Sequence, residues 1–317
     1  MKKRVIFLFL TLYICAGLAG CGNKKEQQCA LRDEGIELLD AGDSEGAIAL
    51  FNKALGLSIG KVGDLEIDIN YYKAAAYVKA GNPEEAINCY NALINYDDRD
   101  YKAYFMRGSV FAKTGDVASA VADYNKALNL QRKDYELYIE IYENFKSLGL
   151  EEQGAGYLDA ALELSDRSDE GNYFRGRIYY LKGDYDNALS ELNDAIEAEV
   201  APASLYAAKV YQALGDETSA QKLLVKYASS EEVSSDALRS LGEIEMNQGN
   251  TERALEYFRA GLDAGDDDMR QSLMRSQIIA LERLGRFSEA KTVAAQYVVE
   301  FPEDTEAANE YVFLTTR

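Results

Sequence analysis

The sequence predicts an all-α superhelical solenoid: about eight helix–turn–helix repeats closed by a C-terminal helix. Three observations carry the prediction. The chain resembles itself at a period of 34 residues, a glycine recurs at a fixed phase of each period, and small residues stand at fixed distances on either side of that glycine. A period of this length is the mark of an array in which each helical hairpin buries its apolar face only against its neighbours.

The chain opens on a different kind of segment. Lys2, Lys3 and Arg4 form a basic head, and Val5 to Ala16 is almost wholly apolar. Twelve residues fall short of the roughly twenty that a helix needs to cross a bilayer core. The length and flanks are those of a secretory leader. The run ends on Leu18-Ala19-Gly20-Cys21. In this it resembles the leader of a bacterial lipoprotein, where a leucine, two small residues and a cysteine form the lipobox. The alternative is an ordinary leader with a cysteine at the cut by chance. The resemblance implies that residues 1–20 are a signal peptide and that Cys21 is acylated, palmitate included. It also implies an extracytoplasmic protein, lipid-anchored to the bacterial cell membrane, or to the outer membrane where the cell has one. Stable anchoring needs more than one acyl chain, which a multiply acylated cysteine supplies. Residues 22–27, GNKKEQ, read as a short polar tether reaching about 20 Å if extended.

The repeats follow. Residues 101–134, 169–202 and 235–268 each hold a helical pattern, a glycine-centred turn and a second helical pattern. In the middle one Ala188, Leu189, Leu192, Ala195 and Ile196 make one apolar helix face. The turn glycines are Gly42, Gly81, Gly115, Gly149, Gly183, Gly215, Gly249 and Gly285. Five residues on stand Ala47, Ala86, Ala120, Gly154, Ala188, Ala220, Ala254 and Ala290. Seven residues before, six of the eight positions are also small: Gly35, Ala74, Gly108, Gly176, Ala208 and Gly242. Small residues at both places let two helices approach closely. An apolar filler such as Phe51, Tyr90, Tyr124, Leu192 or Phe258 follows on the second helix.

This pattern resembles the tetratricopeptide repeat (TPR) family over 28–302. The units read 28–61, 67–100, 101–134, 135–168, 169–202, 201–234, 235–268 and 271–304, and 303–317 holds a capping helix. The first-helix tryptophan of the family is absent, and the repeat-ending proline survives only as Pro302. Tyr142 and Ile278 replace the small first-helix residue, which implies altered packing in the fourth and eighth units. Five extra residues, 62–66, separate the first two units, either as a hinge or as a slack surface loop.

Composition removes several classes of activity. Loss of the leader would take the net charge from −20 to −23, so nucleic acid is not expected as a partner. Histidine is absent, and with it the usual general base, the Ser–His and Cys–His pairs and the commonest metal ligand. Neither a phosphate loop nor a nucleophile motif occurs. The carboxylates at 265–268 and 97–100 lack the alternate spacing of a calcium loop and suit helix N-termini. Cys29 and Cys89, sixty residues apart, read as small apolar helix residues. No enzyme, cofactor or metal is expected.

What remains is a binding surface. In the family, repeat positions 2, 5, 9, 12 and 13 of the first helices line a concave groove. Position 5 reads Tyr71, Phe105, Ile139, Tyr173 and Leu205 through the second to sixth units, and Tyr180 adds a ring at position 12. Groove positions also carry Lys79, Lys102, Lys113, Lys146, Arg177 and Lys209 against Asp68, Glu136, Glu143 and Glu170. The resemblance therefore implies a peptide groove for a protein partner in the cell envelope. Tyr71, Phe105, Lys113, Tyr173, Arg177, Tyr180 and Lys209 are its candidate residues, and the last four are expected at its centre. Packing is the competing role for the position-5 rings, and capture of a cell-wall glycan is the competing function.

Overall fold

The structure, a computed structural model, describes residues 21–58, 62–228 and 233–316. The expected leader, Gly60 and the side chain of Cys21 lie outside the described residues. The described residues form 17 helices and no strand, in a solenoid of eight helix pairs and a closing helix. None of these helices is long and apolar enough to cross a membrane.

The chain forms two compact units. The first contains α1 (Cys21–Asp40), α2 (Ser44–Gly56), α3 (Asp64–Lys79), α4 (Pro83–Tyr96), α5 (Tyr101–Lys113) and α6 (Val117–Leu130). Helix α7 (Tyr135–Ser147) gives its ends to this unit and Tyr138–Tyr142 to the second. The second holds α8 (Glu151–Leu162) from Glu152 on, α9 (Asp169–Leu181), α10 (Tyr185–Glu197), α11 (Ala201–Ala213) and α12 (Glu217–Ala228). It continues with α13 (Ser235–Asn247), α14 (Thr251–Asp263), α15 (Asp267–Arg283), α16 (Phe287–Glu300) and α17 (Thr305–Thr315).

The turn inside each pair follows from two adjacent residues. All eight expected glycines adopt positive φ, from 70° to 84°. That conformation ends a helix without a Cβ penalty. The next residue, often aspartate, does two things. Its N–H closes the finished helix, as from Asp43 to the Leu38 carbonyl at 2.8 Å and from Asp184 to the Tyr179 carbonyl at 2.9 Å. Its carboxylate opens the next, accepting from Gly46 N–H for Asp43 and from Asn187 N–H for Asp184. A Gly-Asp dipeptide thus serves as stop and start at once.

Packing within a pair rests on the small first-helix residue and the filler opposite. A Cβ on Gly35 would lie 2.6 Å from the Phe51 ring, on Gly108 2.9 Å from Tyr124, on Gly176 2.5 Å from Leu192 and on Gly242 2.3 Å from Phe258. None of these contacts has room for even a methyl group. The fillers are at most 1% exposed, as is Tyr90. In the last pair the volumes are exchanged. Ile278 stands on α15 where six of the other seven pairs carry glycine or alanine, and the filler position on α16 is Ala294. Both are buried in one cluster, so this pair is repacked rather than loosened.

The two ends and the insertion complete the picture. Helix α1 begins at Cys21, so the segment expected as an extended tether is helical and spans about 9 Å rather than 20 Å. At the insertion, the Glu66 carboxylate accepts from Gln28 Nε2, Ser58 Oγ and Gly63 N–H, each at 2.9 Å. Those bonds tie α1, the end of the α2–α3 connection and α3 together. At the other end α17 buries Ala307 and Leu314 against the last pair, and Arg275 on α15 pairs with its Glu310.

Gly176→Leu should force α9 off α10, at a cost of about 1–3 kcal/mol or more. Thermal unfolding and protease cuts around α9 and α10 would show it, and unchanged melting would mean that the pair is not held by this contact. A second substitution should stabilise. Glu199 holds φ 63° between α10 and α11, at the repeat position where Gly265 holds 77° between α14 and α15. The left-handed region costs a non-glycine residue roughly 1–2 kcal/mol. After the extra backbone entropy that glycine loses, Glu199→Gly should gain about 0.5 kcal/mol, read as a small rise in melting temperature.

Candidate functional site

The groove positions divide between the two units, and their surroundings differ. In the first unit Tyr71 on α3 is half-buried, its ring centroid 6.2 Å from that of Tyr90. Its hydroxyl donates to Asp100 Oδ2 at 2.7 Å, and Asp100 also caps α5 through Ala103 N–H. Burial first, then the neighbouring carboxylate, push that hydroxyl far above the ordinary tyrosine range. Phe105 on α5 is half-buried against Tyr124, centroids 5.8 Å apart. Lys113, at the end of α5, is exposed.

In the second unit Tyr173, Arg177 and Tyr180 on α9 and Lys209 on α11 come together, around a ring absent from the expected set. Tyr206 on α11 meets Tyr173 and Tyr180 edge-on at 5.8 and 6.0 Å. The Arg177 guanidinium lies 5.1 Å and Lys209 Nζ 4.9 Å from the Tyr206 centroid. Cations over a ring face are attracted by its quadrupole. Tyr206 stands one residue after the groove position Leu205 and three before Lys209, on neighbouring turns of one helix. That spacing is the signal by which it could have been found.

The charges do not end there. Lys209 Nζ reaches Asp236 Oδ2 on α13 at 2.5 Å, and Arg239 reaches the other oxygen at 3.2 Å. Arg239 also pairs with Glu243, while its buried Nε has no hydrogen-bond partner among the described residues. Burial pushes the Asp236 carboxyl up, but the charges and hydrogen bonds of Lys209 and Arg239 together hold it below the usual carboxylate range. The patch is a chain of rings, cations and carboxylates running across α9, α11 and α13.

Position 5 is largely core. Ile139 is fully buried, Leu205 is 6% exposed and Tyr173 is 9% exposed. The rings expected to be free for a ligand are therefore in part packing residues, because position 5 faces the neighbouring helices as much as the groove. A second polar pattern escaped sequence reasoning. At repeat position 7, Arg107 meets Asp123 through two bonds of 2.7 Å, and Arg175 meets Glu191 at 2.9 Å. Each joins the two helices of its pair, with both partners half-buried or better.

The other candidates resolve into structure. Asp266, in the acidic run 265–268, caps α15 by accepting from Asp268 and Met269 N–H. Asp97 accepts from Arg99 N–H at 2.9 Å in the other run. Among the described residues no three metal-ligating side chains converge. Cys89 is buried, and its thiol is pushed up by burial; neither Cys89 nor Cys29 forms a disulfide.

Known proteins bear on this arrangement. The profile of the family described as Tetratricopeptide repeat matches residues 71–135, 152–204 and 206–268, more than half of the chain. No curated protein matches. The fold is similar to the crystal structure of a tetratricopeptide repeat protein from Parabacteroides merdae, at 18% identity and TM-score 0.51, covering 80% of this chain and 99% of that one. It is also similar to yeast Tom70, at 18% identity and TM-score 0.60, covering 86% of this chain and 57% of that one. Cut9, or its partner in the APC/C hetero-tetramer Cut9-Hcn1, aligns at 12% identity and TM-score 0.50, over 93% of this chain and 57% of that one.

Asp236→Asn should test the ionic chain. The folded-state pKa of Asp236 lies below its unfolded value. Its contribution is therefore full above the ordinary carboxylate range and lost as pH falls through about 4 and below. The variant should lose about 1–2 kcal/mol at neutral pH, less than a fully buried pair because Lys209 and Arg239 stay partly solvated. The loss should vanish in acid, as followed by urea melts across pH.

Proposed function

The chain belongs to the tetratricopeptide-repeat family, and on that premise we propose that it is a non-catalytic protein-interaction scaffold, held outside the cytoplasm by a lipid on Cys21. The observation that carries the reading is the allocation of side chains along the array. The small and large apolar residues of each pair are consumed by the contact between its two helices. Among the rings and cations of the first helices, Phe105 and Tyr180 are only half-buried and Lys79, Lys102 and Lys113 are exposed. Large aromatics and arginine are the residue types that anchor protein partners. A fold spent on presenting a face, with no histidine in the chain, serves binding better than turnover.

The anchor is supported by the basic head, the short apolar run and the four residues Leu18-Ala19-Gly20-Cys21. With α1 starting at Cys21, the first pair of the array stands close to the lipid surface. A partner would then be an envelope protein that approaches the membrane, either the cell membrane or the outer membrane of a two-membrane cell.

One experiment tests both halves. A photo-crosslinking residue is placed at Tyr180 or, as a control on the second helix of the next pair, at Val225, in the parent and in Cys21→Ser. The parent should partition into detergent, and Tyr180 but not Val225 should crosslink a defined protein. Cys21→Ser should stay unprocessed or leave the detergent phase. A processed Cys21→Ser protein still in detergent would overturn the anchor. Equal crosslinking from both positions would overturn a first-helix binding face.

A further inference from the structure

We propose that the first-helix face of α3 and α5 is a docking surface for an acidic segment of the partner protein, read through Lys102 and Lys113 with Lys79 beside them. This rests on the scaffold reading above and specifies its partner.

The argument begins with charge pairing. On the first helices Arg32, Arg107, Arg175, Lys209 and Arg275 each face a carboxylate, as expected in a chain of net charge −20. Lys79, Lys102 and Lys113 depart from this. All three are exposed and, among the described residues, none makes an ion pair. Acids are abundant enough to pair them. Helix α5 itself carries Lys102, Arg107 and Lys113 and no acid. On α3 the groove-side Asp68 is taken by Arg32.

The three share one face. Lys102, Phe105, Ala112 and Lys113 fall at i, i+3, i+10 and i+11, a stripe along α5. Lys102 and Lys113 are eleven residues apart, three turns and about 16 Å along the helix. Half-buried Phe105 stands between them. Lys79 ends α3 at the repeat position where Lys113 ends α5. On α7 the position of Lys102 is held by Glu136 and that of Lys113 by Ser147, and Glu143 on the same helix is exposed. A ligand must therefore satisfy two cations about 16 Å apart with an apolar contact between them. In an extended peptide that is a spacing of about five residues. Two Asp or Glu residues five apart, around one apolar side chain, meet the requirement.

The occupant is a peptide because the cations are few and a ring lies between them. A nucleic acid would bring a line of phosphates against a strongly acidic molecule. The ring–cation patch on α9, α11 and α13 is the weaker reader of acids, since Lys209 and Arg239 already share Asp236.

The test is a random array of short peptides screened with the full chain in detergent, at low and at high salt. Captured peptides should be enriched in acidic pairs about five residues apart around an apolar residue. Lys102→Glu combined with Lys113→Glu should weaken the best of them about tenfold or more, with unchanged circular dichroism and melting, since each reversal turns an attraction at the rim into a repulsion. Lys222→Glu combined with Lys226→Glu, both exposed on α12, should leave that peptide bound as before. Three results would overturn the proposal: captured peptides without acidic enrichment, acidic peptides that ignore the lysine reversals, or lysine-dependent binding to phosphatidylglycerol vesicles in place of peptides. Capture of no peptide by the parent at either salt would instead remove the scaffold reading itself.

Discussion

Everything in this molecule depends on how closely the two helices of a pair approach. At four of the eight pairs a glycine on the first helix lies so near a ring or leucine on the second that a methyl group would not fit. That proximity turns a hairpin of two weakly amphipathic helices into a rigid slab. Short isolated helices are marginal in water. Here each is stabilised by burying a filler side chain against backbone, where no rotamer of an opposing residue has to be frozen. Once the slab is rigid its outer faces are fixed in direction, and side chains along the first helices can act as a set.

A polar framework overlays the apolar one. The Gly-Asp turns place a carboxylate at the start of the second helix, and the caps of Asp116 and Asp216 hold their carboxyls below the usual range through hydrogen bonds from Ser119 and Ser219. The Arg–acid latches at repeat position 7 cross the same two helices from their flank. An acidic chain can carry its charge because many of its carboxylates accept N–H groups at helix ends rather than standing alone. The cost of that economy falls on cations. Most arginines are consumed by local acids, and the cations that stay open to solvent are lysines such as Lys102 and Lys113.

The fold was legible in the sequence because its determinants are sterically forced. Only glycine is at ease at positive φ, and only Gly or Ala leaves room at the helix contact, so Gly42 and Gly35 announce the phase of a unit without any knowledge of its surroundings. The surface was less legible. Tyr173 and Leu205 have the residue types of a ligand contact and of a core contact alike, and burial decides between them. Tyr206 lies one residue outside the expected groove register, so its role depends on the angle at which α9 and α11 meet. The pairing of Lys209 with Asp236 joins two repeats and cannot be read from either alone. The helical start at Cys21 was hidden because GNKKEQ has no apolar periodicity to mark it. Sequence reasoning reached the scaffold and named several of its surface residues, but not which of their charges were already spent.

The exchange of volumes in the last pair bears on how the chain counts. Units that share one phase can pair wrongly: a first helix may settle against the second helix of a neighbouring unit and keep most of its apolar contacts. Repeat proteins are prone to such misassembly. Ile278 cannot occupy the place of Gly242 against Phe258 without overlap, and Gly242 set against Ala294 would leave a hole where two side chains should meet. The final pair therefore accepts no glycine-bearing first helix from within the array. Its odd fit marks one end of the alignment, so that a shift of one unit is rejected there before the rest of the chain can commit to it.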